Sequence, residues 1–387
     1  MRVTHVITRL IVGGAQENTI STVLGLQNRP GLQVNLVAGP SSGPEGSLES
    51  AFASQPELLT ILPSLIRPIH PWCDLLAWRS LVKMFRAAPP RIVHTHSGKA
   101  GLLARLAARR AGVPIIIHTV HGPSFGAFQG PLPNLLLRAA ERRAAAVTTH
   151  FISVADAMTQ QYLAAGVGRP EQFTRIFSGF ALEPFLASRN DLELRARLGI
   201  APTDFVVGKI ARLFKLKGHE DLIAAAPDIL RRHPQTKFLL VGDGSLRPRL
   251  QERARAAGLE KEIIFAGLVP PGDICRYVGV MDVVAHLSRR EGLPRALPQA
   301  MAAGRPIAAY DCDGAKEVCF SGQTGFLIPV GDVKTLAERL AQLAADPALR
   351  ERLGRRGREF ARENFAVASM VESIYALYQK LARRESN

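Results

Sequence analysis

The sequence predicts an α/β protein made of two doubly wound parallel-sheet domains facing a cleft. Three observations point there. Short runs rich in Val and Ile alternate with helix-length segments from one end of the chain to the other. The runs are nearly continuous in apolar residues, as strands covered by helices on both faces must be. The alternation pauses once, over residues 178–204, where Gly179, Pro184, Gly199 and Pro202 punctuate the chain and set a boundary near residue 185. A length of 387 residues suits two such domains.

The first domain, 1–185, has predicted strands at 3–7, 34–37, 92–95, 115–119, 150–154 and 174–177. The second, 186–365, has them at 206–210, 237–241, 263–266, 283–286, 306–310 and 325–328, with helices over 222–232, 246–257 and 335–345. In the tail 366–387, Val367, Met370, Val371, Ile374, Tyr375 and Leu377 recur at helical spacing, so the tail is a helix that packs back on the first domain. In sheets of this kind ligands bind beyond the carboxyl ends of the strands.

Composition narrows the class. Apolar residues at 47% and charged residues at 21% exclude a disordered chain. The four cysteines form no CxxC pair, which argues against a zinc knuckle and for reduced thiols in a cytoplasmic protein. No signal peptide is predicted at the start of the sequence, and the apolar runs fall far short of the ~20 residues a membrane span needs. The net charge is +16, with 18 Lys and Arg against 9 Asp and Glu through Asn190. Arginines cluster at Arg105, Arg109 and Arg110 and at Arg138, Arg142 and Arg143, with four-residue spacings that put them on one helix face. A solvated face is the plain explanation; an anionic lipid surface or a phosphorylated substrate is the sharper one. A nucleic-acid partner is not expected, because no recognition helix or aromatic-rich basic strand accompanies the charge.

Several motifs sit at predicted strand ends. Gly13 and Gly14 follow the first strand, where main-chain amides can approach a phosphate, although a tight turn explains them equally well. Arg212 and Lys217 follow a strand of the second domain and suit a diphosphate; two exposed bases on a turn are the alternative. The stretch 288–306 reads as a strand end with Glu291, a turn, a helix opened by Pro294 and closed by Gly304, then a strand. Leu293, Arg295 and Ala296 would supply its free amides to an anion. His121, beside Gly122, is a structural histidine or a ligand-facing one, with His118 its competitor.

Taken in order, GGAQE, VHTHSGKAGLLARLAA, HTVHG, ARLFKLKG, VGDG, SRREGLPRALPQAMAAGRP and DGAKEV…GQTGFLIP resemble family 4 glycosyltransferases over nearly the whole chain, in particular members that build bacterial surface polysaccharides on lipid-linked acceptors. The resemblance implies the GT-B architecture of two Rossmann-like domains. It implies a retaining, metal-independent hexosyltransferase that uses no cofactor and takes a nucleotide-sugar donor, UDP-linked. By that likeness His121 and Glu291 are the catalytic pair beside the transferred sugar, and Arg212, Lys217, Gly13 and Gly14 hold the diphosphate. The family's second glutamate, eight residues after Glu291, is Gln299 here. It keeps a carbonyl acceptor for the ribose and loses the charge. Asp311 and Asp313 resemble a metal-binding pair but read as a donor-side loop without metal. The acceptor would bind the first domain beneath a mobile loop carrying Phe125 and Phe128, at the inner face of the cytoplasmic membrane. A catalytically silent sugar-nucleotide binder and a GT-B phosphorylase or epimerase are the competing functions.

Overall fold

The computed structural model describes residues 1–41, 46–126 and 128–385. The chain forms two compact units, Met1–Gly179 together with Val367–Asn387, and Phe180–Ala366. The boundary expected near residue 185 thus falls at Gly179. Phe180 explains the difference: its N–H donates to the Phe365 carbonyl (2.8 Å) and its ring packs against that of Phe365, which ties 180–185 to the second unit.

The first unit contains a seven-stranded parallel sheet of β1 (Arg2–Arg9), β2 (Gln33–Gly39), β3 (Leu59–Ile61), β4 (Ile92–His96), β5 (Ile115–Val120), β6 (His150–Ser153) and β7 (Phe173–Arg175), in the order β3-β2-β1-β4-β5-β6-β7. The second contains six strands, β8 (Phe205–Ile210), β9 (Thr236–Val241), β10 (Ile263–Gly267), β11 (Val283–His286), β12 (Ile307–Tyr310) and β13 (Gly325–Ile328), in the order β10-β9-β8-β11-β12-β13. Strand β3 was not legible in the sequence, being a three-residue edge strand whose side chains are half-buried or exposed.

Burial on both faces accounts for the apolar runs. In β1, Val3 and Ile7 enter one core layer while Val6 enters the other. The first layer is closed by the helix Val367–Arg384, whose Met370, Val371, Ile374, Leu377, Tyr378 and Leu381 are buried against it. This helix packs on the helix Gly14–Gln27 at a close approach that needs glycine, because a Cβ on Gly25 would stand 2.5 Å from Val371 Cγ2. In the second unit the helices His219–Arg232 and Val333–Ala345 cover a core that includes Val207, Leu240, Ala285 and Ile328.

Each sheet reverses its strand order once, between β1 and β4 in the first unit and between β8 and β11 in the second. Such reversals open a crevice at the carboxyl ends of the strands, the usual ligand position in an open α/β sheet.

Candidate active site at the strand-order reversals

Several of the expected residues, Gly13, Gly14, Arg212, Lys217 and Glu291, lie just after strands that flank these two reversals. In the second unit, β8 runs into the turn that carries Arg212 and Lys217, and β11 runs into the turn that carries Glu291. Lys217 donates from Nζ to Glu291 Oε1, so the two turns are joined by an ion pair. The Glu291 N–H in turn donates to Asp313 Oδ2 (2.7 Å). Burial acts to raise the Glu291 pKa, but the charge and hydrogen bond of Lys217 outweigh it and hold the carboxyl below its usual range. His286 Nε2 lies 3.9 Å from Glu291 Oε1. Burial pushes His286 down to about 3, so this contact is between a neutral imidazole and a carboxylate at pH 7.

The backbone at these turns is unusual. Among the described residues, the non-glycine positions with positive φ are Ser97 (67°), Leu216 (67°) and Asp313 (49°). Leu216 adjoins Lys217, Asp313 orients Glu291, and Ser97 lies between β4 and the helix Gly98–Ala111. Left-handed backbone at a non-glycine residue costs about 1–3 kcal/mol and is characteristic of functional sites. Gly218 completes the Lys217 turn, because a Cβ there would meet the Leu287 carbonyl at 2.2 Å.

Arg212 is exposed, with its guanidinium 5.2 Å from the Phe214 ring centroid. The helix expected to open at Pro294 spans Ala296–Ala302, so Leu293 and Arg295 precede it. The first-turn proline is Pro298, whose missing N–H costs nothing there. Gln299 is buried within that helix. Sequence reasoning missed Lys209, a lysine inside the apolar strand β8. Its Nζ is buried and has no hydrogen-bond partner among the described residues. Burial, with help from Lys217, lowers its pKa to about 7. The available signal was a single charge in an otherwise continuous apolar run.

In the first unit, Gly13 precedes and Gly14 begins the helix Gly14–Gln27, just after β1. Gly13 is extended (φ 174°), and a Cβ on it would meet Gln16 Oε1 at 2.7 Å. His121 follows β5, partly exposed, and its Nε2 lies 3.1 Å from His96 Nδ1. His118 is buried in β5 with Nδ1 2.9 Å from Thr95 Oγ1, which leaves His121 as the accessible histidine. Phe125 does not face outward from its loop. It is buried with its ring 5.3 Å from that of Tyr162, while Phe128 is exposed. The neighbouring Gly126 N–H donates to Asn134 Oδ1 (2.8 Å); residue 127 of this loop lies outside the described residues. Arg105 also departs from expectation. It is fully buried and paired with Glu141 at 2.6 Å, whereas Arg109 and Arg110 face outward.

Comparison with known proteins decides the family. The chain matches the family models "Glycosyl transferase 4-like domain" over residues 13–176 and "Glycosyl transferases group 1" over 190–360. It is 32% identical over 328 residues to EpsD of Bacillus subtilis (strain 168), a glycosyltransferase by name, covering 81% of this chain and 84% of that one. The chain belongs to the group 1, family 4-like glycosyltransferases. Another relative, at 27% identity over 98% of this chain and 96% of its own length, is the UDP-Gal:alpha-D-GlcNAc-diphosphoundecaprenol alpha-1,3-galactosyltransferase of Escherichia coli. Among solved structures, HepE of Anabaena in complex with UDP superposes with a TM-score of 0.84 at 23% identity, covering 98% of this chain and all of that one. The glycosyltransferase fold here is GT-B. As a glycosyltransferase the chain is an enzyme of the hexosyltransferase type.

Proposed function

We propose that this glycosyltransferase moves a sugar from UDP to a hydroxyl of a glycan or lipid-linked acceptor in cell-surface polysaccharide synthesis. The anomeric configuration is retained, and no divalent metal or cofactor takes part. The observation that carries the reading is the Lys217–Glu291 pair joining the two turns at the β8/β11 reversal. Glu291, ionised and oriented through Asp313, accepts hydrogen bonds from hydroxyls of the transferred sugar. Lys217 and Arg212 take the diphosphate, with the Gly13–Gly14 amides and those of Leu293, Arg295 and Ala296 as further donors. His121 faces the sugar, and Gln299 the ribose. The bond from the anomeric carbon to the diphosphate oxygen breaks, and the acceptor oxygen bonds to the same face. The acceptor proton passes to the departing diphosphate, whose charge the two cations stabilise. Support comes from HepE, solved with UDP and with UDP-glucose, and from the E. coli relative, named for a diphosphoundecaprenol-linked acceptor.

A thermal-shift screen of nucleoside diphosphates in EDTA, followed by turnover of UDP-sugars with and without acceptor, tests this. The expected result is stabilisation by UDP in EDTA and UDP release that depends on acceptor. A strict metal requirement, or release of sugar phosphate, contradicts it.

The same reading places the enzyme at an anionic membrane surface. No helix among the described residues is long and apolar enough to cross a membrane. The helix Pro131–Ala145 nevertheless exposes Leu132 (64%), Leu135 (63%) and Leu136 (61%), and Arg142 and Arg143 on it are also exposed. Apolar side chains with arginines on one surface helix match the chemistry of an anionic lipid interface. Flotation with anionic vesicles should carry the protein at low salt and lose it when Leu135 and Leu136 become Ser; no flotation of the unaltered chain removes the membrane reading.

A further inference from the structure

His5 on β1, His94 and His96 on β4, and Thr119 on β5 alternate with strand period two, so all four stand on the sheet face covered by the helix Val367–Arg384. The register pairs His5 with His94 and His96 with Thr119. Tyr378 of the covering helix completes a continuous series of polar contacts. His94 Nε2 lies 2.6 Å from Thr119 Oγ1 and His94 Nδ1 lies 2.5 Å from Tyr378 Oη. Tyr378 Oη is 3.2 Å from His5 Nε2, His5 Nδ1 is 3.0 Å from His96 Nε2, and His96 Nδ1 is 3.1 Å from His121 Nε2. All members but His121 are buried.

We propose that Tyr378, acting through His5 and His96, fixes the ring tautomer of His121 so that Nδ1 of His121 is a hydrogen-bond acceptor. The inference rests on the reading above that His121 faces the sugar. Burial keeps these imidazoles neutral at pH 7: His5 falls to about 3, His121 to about 4, and His94 and His96 well below the ordinary value, helped by the other histidines. A neutral imidazole has one N–H and one lone pair, so the protons along the series must all point the same way. The phenol has one proton to give. Its contact with His94 is 0.7 Å shorter than its contact with His5, and we therefore place the phenol proton towards His94 Nδ1, with the phenol oxygen accepting from His5. His94 then donates to Thr119. In the other direction His5 Nδ1 accepts from His96 Nε2–H, and His96 Nδ1 accepts from His121 Nε2–H. The remaining nitrogen of His121, Nδ1, is left with a lone pair, suited to accept from a sugar hydroxyl.

The atoms of His5, His94 and His96 come within 4.8 Å of one another, near enough to suggest a metal. Each ring nitrogen already has a hydrogen-bond partner, which a metal bond would displace. Tyr378, His5 and His96 are therefore positioning residues.

Nitrogen-15 NMR of the full-length enzyme labelled at histidine reads the tautomer directly. The expected result is a neutral His121 protonated at Nε2 at pH 7.5. In Tyr378→Phe, which keeps the ring and removes the hydroxyl that donates to His94 and accepts from His5, the His121 signals should become a mixture of both tautomers. Turnover should then fall at least about tenfold at unchanged donor KM, short of the ~10⁴ that a wrong histidine tautomer costs in a serine protease. A His121 protonated at Nδ1 in the unaltered enzyme overturns the proposal, as does an unchanged tautomer in Tyr378→Phe or one zinc ion bound per chain. His121→Ala separates the two readings. Full activity in that variant rejects the role of His121 at the sugar, while the tautomer measurement still decides the chain.

Discussion

Lys217 serves two anions in the proposed chemistry, the Glu291 carboxylate it already binds and the diphosphate of the donor. Removing it acts on both. The departing diphosphate loses a preorganised cation, and Glu291 loses the charge that keeps it ionised despite its burial. Loss of a preorganised group of this kind costs ~10²–10³ in rate. Lys217→Ala is thus expected to lower kcat by about that factor in a UDP-sugar assay, and its residual activity should rise with pH as Glu291 deprotonates later. A loss below threefold removes Lys217 from the reaction. This residue was readable from sequence as a cation at a strand end, but its partner was not. The spacing of 74 residues between Lys217 and Glu291 is closed only by the β8/β11 pairing.

At the scale of elements, the helices Gly98–Ala111 and Pro131–Ala145 are locked by Arg105 and Glu141. Arg105 also donates to the Gly101 carbonyl (2.8 Å) and Thr148 Oγ1 (3.3 Å), so its charge is fully occupied inside the protein. Glu141→Ala leaves that charge buried without its counter-ion and should cost about 3–5 kcal/mol in urea unfolding. The double variant Arg105→Met, Glu141→Leu should cost less than the single one. Sequence spacing puts Arg105 and Arg109 on one helix face, yet one is buried and the other exposed. Periodicity reports which residues share a face and says nothing of where the boundary of burial falls, which here depends on Glu141, 36 residues away. Most strands were legible for the opposite reason. A strand buried on both faces writes its apolar run locally, whereas the half-buried or exposed β3 writes none.

Across the whole molecule, the histidines make stability depend on pH. His5, His94, His96, His118 and His121 all titrate lower in the folded chain, with burial the leading cause, and His150, His219 and His286 do the same. Arg105 adds to the effect at His118. Between about pH 6.5 and 4 the unfolded chain binds more protons than the folded one, so stability falls as pH falls through that window. At pH 5 the shifts of His5 and His121 alone amount to on the order of 2 kcal/mol each. Urea midpoints at pH 7.5 and 5 should therefore differ clearly; equal midpoints would mean the cluster is not buried in its neutral form.

The helix Val367–Arg384 belongs to the first unit although every residue of the second is synthesised before it. On the ribosome this helix can cover Val3, Ile7 and His5 only after the whole second unit, Phe180–Ala366, has been made. The core layer of the amino-terminal unit that this helix closes is thus completed last. Tyr378 arrives with that helix, so a nascent or carboxyl-terminally clipped enzyme would carry His121 before anything orders its protons.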